Sequence, residues 1–575
     1  MLKKKIYISI IVIVILIITM LVVLNSIDSD IDTGEFGEKI KLLDEFVFKN
    51  NEIKEQEQHI AILSISDKKN KAIVKKEEAT SMKKAYENVK KEMTQYVIEN
   101  KYNVQLLKVD FIKDIEEISM KDFKKEIIYL EADNMFRYGI IFEYEDRNDI
   151  ILTEAELNSN NIINYDNPEI NLNSLNQYLP FCGENTVNTL PDKIKKFKTI
   201  SYFCDINNEI YEMDSMTGQR KQDNLDQETV NEMLDNATNY LINMVQDDGK
   251  FIYGYNPIKN EEIGSYNILR HAGSTWSMIE RWDSTIEQKQ IIDRAVNYLI
   301  STVKYLDTET AYVVELKNDE IKLGGNALAT IAICEYINKF EDSKNEELLG
   351  KLGNGILSMQ KENGSYIHVL NSSDFSLKDE YRTVYYDGEA TFALVKLYSI
   401  TKDKKYLDAA EKSIKYFIDN HYTQYGDHWI SYAINEITKY IDKEEYYEFG
   451  LKNISHNIYS IKNKKYTSHT DFELLIQAFE LYNRIIEKQL DIEYLEKFSI
   501  SKLIEAINYR AKFQLNSYIY PEISMYLTDS EKYCNTFYIR HNDFRIRIDD
   551  IQHSILGYHF YSKNFEKIKE IEESL

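Results

Sequence analysis

The stretch Gly324-Gly-Asn-Ala-Leu-Ala-Thr-Ile-Ala-Ile-Cys334 carries no charge, and none follows until Glu335. A helix built from it is apolar on every side and belongs inside a core. Segment 405–420 is the opposite case. Tyr406, Leu407, Ala410, Ile414, Phe417 and Ile418 form one stripe and charges fill the rest, so that helix is wet on one side. Helical periodicity recurs over 228–246, 265–282, 285–304, 324–340, 345–360, 386–402, 405–420, 427–441, 443–460, 468–487, 498–514 and 548–562. These segments fall into six hairpins. An inner ring of apolar helices inside an outer ring of amphipathic ones predicts a mainly α fold, an (α/α)6 toroid over 226–575.

Composition agrees. Among 575 residues there are only 19 Gly and 5 Pro, which excludes collagen-like and linker-rich chains and argues against an all-β fold. A proline inside a helix costs roughly 3 kcal/mol, and none lies between 258 and 520. Gln246-Asp-Asp-Gly-Lys-Phe251 and Gln360-Lys-Glu-Asn-Gly-Ser-Tyr366 form a repeat after alternate helices. It predicts a left-handed glycine ending the helix and an aromatic pinning the loop.

Upstream, 59–66, 104–111 and 138–142 read as strands. Ala79–Asn100 reads as a helix with Met82, Tyr86, Val89, Met93 and Val97 on one stripe. This predicts a small α+β domain over 28–157, without a Gly-rich phosphate loop, that binds or spaces. Pro168, Pro180 and Pro191 mark 158–225 as a connector. At the start, Lys3, Lys4 and Lys5 precede an uncharged run, Ile6–Leu24. As a helix it spans roughly 28 Å, close to the hydrocarbon thickness. The expectation for 1–27 is a cytoplasmic basic tip and a single-pass membrane anchor, with the bulk of the chain extracytoplasmic; a cleaved signal peptide is the competing reading. The net charge of −25 repels phosphate backbones, so nucleic acid is not an expected partner. Cys182, Cys204, Cys334 and Cys534 form no C-x-x-C pair. No metal site and no cofactor are expected, and a Cys182–Cys204 bridge stays open.

Every second helix of the toroid starts at the same end, and the residues at those starts share a character. They are Arg270-His271-Ala-Gly273, Leu323-Gly-Gly-Asn326, Tyr385-Tyr386-Asp387-Gly388-Glu389, Gly426-Asp427-His428-Trp429, Ser468-His469-Thr470-Asp471 and Arg547-Ile-Asp549-Asp550-Ile-Gln-His553, with Arg545 just before the last. Taken singly, Asp427, Ser468 and Asp549 are ordinary helix caps, and a lone His271 or His469 is ordinary structure. Recurrence at one end points to a pocket with convergent polar groups.

These motifs resemble the six-hairpin glycosidase superfamily of (α/α)6 toroids, over about 226–562. The resemblance implies a pocket at the inner-helix mouth that acts on an envelope or capsular polysaccharide or oligosaccharide. Hydrolysis needs two carboxylates, about 5–5.5 Å apart for retention or 6.5–9.5 Å for inversion. The candidates are Asp387, Glu389, Asp427 and Asp549, with Glu389 as general acid and Asp427 or Asp549 as base. Arg270 and Arg547 would hold a hydroxyl, carboxylate or sulfate, and Trp429 and Tyr386 would stack on the sugar. His469, Arg545, Asp550 and His553 complete the binding set. In a uronate lyase or C5-epimerase, His271, His428, His553 or a Tyr would take the C5 proton and an Arg would hold the enolate. A non-catalytic glycan-binding protein is the third reading.

Overall fold

A computed structural model describes residues 34–49, 53, 58–128, 137–164, 167–215, 217–222, 225–315, 317–540, 542 and 544–575. The apolar run Ile6–Leu24 lies outside them. Among the described residues no helix is long and apolar enough to cross a membrane. The chain divides into two compact units.

The N-terminal unit holds helices α1 (Gly34–Val47) and α2 (Met82–Asn100). Its strands are β1 (Ile60–Ser66), β2 (Ile73–Glu78), β3 (Leu106–Ser119), β4 (Gly139–Phe142), β5 (Ile150–Leu152), β6 (Lys193–Cys204) and β7 (Ile210–Glu212). The sheet order is β2-β1-β3-β6-β4-β5, with β7 on β6. Strand β1 is buried on both faces. Ala61, Leu63 and Ile65 cluster with the α2 stripe of Met82, Tyr86, Val89, Met93 and Val97, while Ile60 and Ile62 meet Ile112, Ile141 and Phe197.

Strand β6 corrects the sequence reading. It falls inside the expected connector, 158–225, yet lies between β3 and β4. Its lysines masked a strand whose Ile194, Phe197 and Phe203 are buried. A cavity of about 580 Å³ is lined by residues of β2 and β5. Its charges pair among themselves, Lys75 with Glu92 at 3.0 Å and Arg147 with Glu184 at 2.9 Å. All four cysteines are free.

The C-terminal unit is built around twelve helices. They are α3 (Gln227–Asn243), α4 (Ile268–Glu280), α5 (Ile286–Ser301), α6 (Leu323–Phe340), α7 (Glu346–Ser358), α8 (Tyr385–Thr401), α9 (Lys404–Asp419), α10 (His428–Ile437), α11 (Glu444–Ser455), α12 (His469–Glu487), α13 (Ile500–Phe513) and α14 (Ile548–Ser574). The even-numbered helices form the inner ring. Each packs on the next, and α14 closes the ring on α4. Burial follows the sequence pattern. Every residue from Leu323 to Cys334 is buried, whereas α9 buries only the stripe containing Tyr406, Leu407, Ala410, Ile414 and Phe417. Rings from four inner helices fill the interior: Trp276, Phe392, Trp429, Tyr432 and Phe560, with centroids 5.5–6.0 Å apart.

The repeated glycines act differently from expectation. Gly249 and Gly364 have φ of 86° and 93°, but each lies beyond its helix, in a tight turn closed by a bridge between Val245 and Phe251 or between Gln360 and Tyr366. A Cβ at Gly249 would meet the Arg294 carbonyl oxygen at 2.1 Å, and one at Gly364 the Lys412 carbonyl oxygen at 2.3 Å. Each turn is thus pressed onto the next outer helix, which only glycine permits.

Candidate active site

The mouth formed by the inner-helix starts holds two buried groups, one of carboxyls and one of imidazoles. Asp387 and Glu389 stand in the first two turns of α8, and Asp427 caps α10, accepting a bond from the Trp429 amide at 3.0 Å. All three are buried. Glu389 Oε2 and Asp427 Oδ2 have no hydrogen-bond partner among the described residues. Burial pushes the Glu389 carboxyl well above the usual carboxylate range, helped by the charges of Asp427 and Asp387. Burial does the same to Asp427, against its cap bond and with Asp387 adding to it. Asp387 has hydrogen-bond donors. His368 Nδ1 accepts from the Arg382 amide at 2.9 Å, so its proton sits on Nε2, which faces Asp387 Oδ1 at 3.4 Å. The Tyr422 hydroxyl donates to Asp387 Oδ2 at 3.3 Å.

Glycines make room for these acids. A Cβ on Gly324 would lie 2.0 Å from Glu389 Oε2, and one on Gly388 would lie 2.7 Å from Asp427 Oδ2. Gly324→Ala is therefore expected to displace the Glu389 side chain and destabilise the fold by about 1–3 kcal/mol. Thermal unfolding measures the loss, and an unchanged melting temperature would show that Glu389 is free to move aside.

The second group joins α10, α12 and α14. His553 Nδ1 lies 2.7 Å from Glu473 Oε1, and the other Glu473 oxygen accepts from the Tyr432 hydroxyl at 2.7 Å. The His428 ring meets the His553 ring edge to face, with centroids 5.4 Å apart and 74° between the planes. His428 Nδ1 is 3.5 Å from Asp427 Oδ1, and its Nε2 is buried with no partner. The two imidazoles are driven apart. Burial and the charge of His553 push His428 well below the ordinary histidine range. Burial also opposes charge on His553, but the charge and hydrogen bond of Glu473, with Asp549 and Asp550 behind, raise it. One ring is thus pushed toward a neutral acceptor and the other toward a cationic donor.

Arginines line the rim. Asp549 is held by Arg270 Nε at 2.8 Å and by the Arg547 fork. Burial would raise its pKa, but Arg270 and Arg547 lower it. Asp550 accepts both Arg545 Nε and Nη2 at 3.0 and 3.1 Å. Burial and neighbouring Asp549 raise Asp550. Arg270 also donates to the Tyr253 hydroxyl.

The structure thus brings Asp387, Glu389, Asp427, His428, His553, Asp549, Asp550, Arg270, Arg545 and Arg547 to one end, and it reassigns four others. His271 is wholly buried, with Nε2 on the Ala295 carbonyl at 2.8 Å and Nδ1 on the Tyr266 hydroxyl at 2.7 Å. Both nitrogens are committed and burial lowers its pKa to about 4, so it braces the Phe251 turn. Trp429 is 3% exposed and belongs to the aromatic interior; Tyr385, 48% exposed and 5.9 Å from His428, is one of the rings that reach solvent. His469 is buried beside Phe537. Tyr386 is buried against His368. Asp549 is not a cap; that position belongs to Arg547. Sequence reasoning missed Glu473 and His368. Glu473 had a signal: it is an isolated acid in the apolar run Phe472–Phe479.

Against the expectation of no metal-ligand set, His428, Glu473 and His553 offer donor atoms within 4.8 Å of one another. Such a set fits a divalent cation in residue type. The 2.7 Å contact between His553 and Glu473 is instead a hydrogen-bond distance, with a proton where a cation would sit. Chelator treatment is expected to leave activity intact, and added Zn²⁺ to inhibit reversibly. Loss of activity on chelation, restored by metal, would reverse this assignment.

No protein-family model matches the sequence, and no curated protein does. Solved structures are similar. A sugar epimerase from a ruminal bacterium is 12% identical, with a TM-score of 0.46 over 59% of this chain and 98% of that one. Cellobiose 2-epimerase from Bacillus thermoamylovorans is 13% identical, at 0.45 over 58% and 99%. A GH76 α-mannanase from Bacteroides thetaiotaomicron is 12% identical, at 0.38 over 60% and 98%. In fold, with six inner helices closed into a ring and six outside, the C-terminal unit is an (α/α)6 toroid.

Proposed function

We propose that the chain is an enzyme that moves a proton on a sugar carbon, as an epimerase or isomerase does. The observation that carries this is the edge-to-face pair His428 and His553, with ring centroids 5.4 Å apart, one with an Nε2 that has no partner among the described residues and the other bound to Glu473. His428 is the base. His553, as imidazolium, is the acid that returns a proton or protonates a developing oxyanion. The removed proton lies on a carbon next to a carbonyl or carboxyl, where the electron pair can be delocalised. Exposed Tyr385 and the Arg270 and Arg547 guanidiniums give the stacking and hydroxyl-matching groups that suit a saccharide.

Hydrolysis is less well supported. It needs an ionised carboxylate opposite an acid, whereas Glu389 and Asp427 are both driven toward neutrality, and Asp549 is held by two guanidiniums. The basic tip and apolar run of residues 3–24 support a membrane anchor with the toroid outside the cytoplasm; protease accessibility of intact cells tests that placement.

The reaction is tested by incubating the chain with envelope oligosaccharides and their monosaccharides in D₂O. Deuterium is expected to enter the sugar carbon next to the carbonyl or carboxyl. Release of new reducing ends without deuterium, and without an unsaturated product, would show hydrolysis instead.

A further inference from the structure

Tyr432 is one of the rings that fill the interior. It lies 5.5–5.8 Å from the rings of Phe392, Trp276, Trp429 and Phe560, and a phenylalanine would pack there as well. The hydroxyl is the extra group, and packing does not explain it. A buried hydroxyl costs free energy unless it is hydrogen-bonded. This one donates to Glu473 Oε2 at 2.7 Å, and both residues are buried. The other carboxylate oxygen, Glu473 Oε1, meets His553 Nδ1 at 2.7 Å. The Gln552 side-chain nitrogen is farther from that ring atom, at 3.4 Å. Tyr432 stands four residues after His428, so the two share a face of α10. A Cβ on Gly557, one turn beyond His553, would meet Phe472 Cδ1 at 3.0 Å, so this glycine lets α14 lie close to α12. Three inner helices thus give one side chain each to a continuous series: Tyr432, Glu473 and His553.

We infer that Tyr432 is a positioning residue: its hydroxyl keeps Glu473 ionised, and ionised Glu473 keeps a proton on His553 Nδ1, so that Nε2 is the working nitrogen. The inference rests on the proton-transfer reading for its use in a reaction, but not for its geometry. One proton lies between Glu473 Oε1 and His553 Nδ1. On the carboxyl it gives a neutral pair, with Nδ1 bare and Nε2 carrying the ring hydrogen. On the imidazole it gives a carboxylate with a donor at each oxygen. A hydrogen bond to the charged form favours that form, and Tyr432 donates only while it keeps its own proton. Burial and the Glu473 charge push that hydroxyl well above the usual tyrosine range, so the proton stays. An orienting carboxylate fixes the tautomer of an imidazole in the same way in a catalytic triad; here a tyrosine stands one step further back. Any proton that His553 gives or takes then passes through Nε2, and Tyr432, buried in the aromatic interior, acts only through Glu473.

The test is nitrogen NMR of the full chain labelled with ¹⁵N-histidine, with a chelator present and His553→Gln supplying the assignment. The ¹⁵N shifts separate a protonated ring nitrogen from a bare one. In the wild type, His553 Nδ1 is expected to stay protonated from about pH 5 to 9 while Nε2 alone titrates. In Tyr432→Phe the alkaline form should populate the opposite tautomer. Turnover should fall about 10–100-fold with KM little changed, while the helical fold persists. Phe560→Leu is the packing control. It loosens the same ring but keeps the hydroxyl, so it should lower the melting temperature and leave the His553 tautomer alone. A bare Nδ1 in the wild type overturns the inference. So do His553 signals unchanged in Tyr432→Phe, or shifted equally in Phe560→Leu. Deuterium uptake keeps the two claims apart. The expected His553 signals without uptake by any sugar retain the role of Tyr432 and remove the reaction. Uptake by the wild type, with signals and rate both unaffected in Tyr432→Phe, does the reverse.

Discussion

His553→Gln is expected to lower turnover about 10²–10⁴-fold, the range for loss of a general acid or base, while the helical fold persists. His428→Gln should do the same, because its free Nε2 is the other half of the couple. The two losses should not multiply. Once one ring is gone the other has no complete proton path, so the double variant should be little worse than either single one. Circular dichroism and the melting temperature check the fold, and initial rates check the chemistry. If both single variants keep more than about a tenth of the rate, the imidazole pair is not the catalytic couple.

Glu473→Gln carries the second large effect. The carboxylate accepts from His553 and from the Tyr432 hydroxyl at 2.7 Å each. An amide can still accept from Tyr432, but it turns an N–H toward His553 Nδ1 and disfavours the imidazolium. Turnover should fall about 10²–10⁴-fold, as when an orienting carboxylate behind an imidazole is lost. The direction of the pH shift is fixed. His553 is raised by Glu473, so the wild-type rate falls on the alkaline side as the imidazolium deprotonates. In the variant that limb moves to lower pH. Stability follows the same linkage. A histidine whose folded pKa is raised contributes stability that is full below its unfolded value, about 6.5, and lost as pH rises through the folded value. The variant should therefore be more destabilised near about pH 6 than near about pH 9, by about 1.5–3 kcal/mol for a charged hydrogen bond. Equal destabilisation at both pH values would show a packing defect rather than a lost ion pair.

Much of the toroid was legible in the sequence, because its two signals are local. Uncharged Gly324–Cys334 and the one-sided stripe of 405–420 each state their surroundings within a few turns, and both meet them. The last inner helix runs beyond 562 to Ser574, since its charged tail hides the period. Strand β6 was illegible because its partners β3 and β4 are distant in sequence, and alternating lysines resemble a solvated segment. At the mouth, residue type located the end but not the role. Trp429 has the chemistry of a stacking face, yet burial makes it core, while Tyr385 beside it is exposed. His271 and His553 look alike in sequence. One is closed by Ala295 and Tyr266 and the other meets Glu473 on another helix, a distinction made only by tertiary contacts.

The central claim is that this mouth transfers a proton on carbon rather than cleaving a glycosidic bond. The most direct measurement is NMR of a sugar panel incubated with the chain in D₂O, run beside His428→Gln. The account predicts deuterium at the carbon adjacent to the carbonyl or carboxyl, absent with the variant, and no rise in reducing ends in saturated substrates. New reducing ends without deuterium at carbon, unaffected by loss of His428, would contradict it.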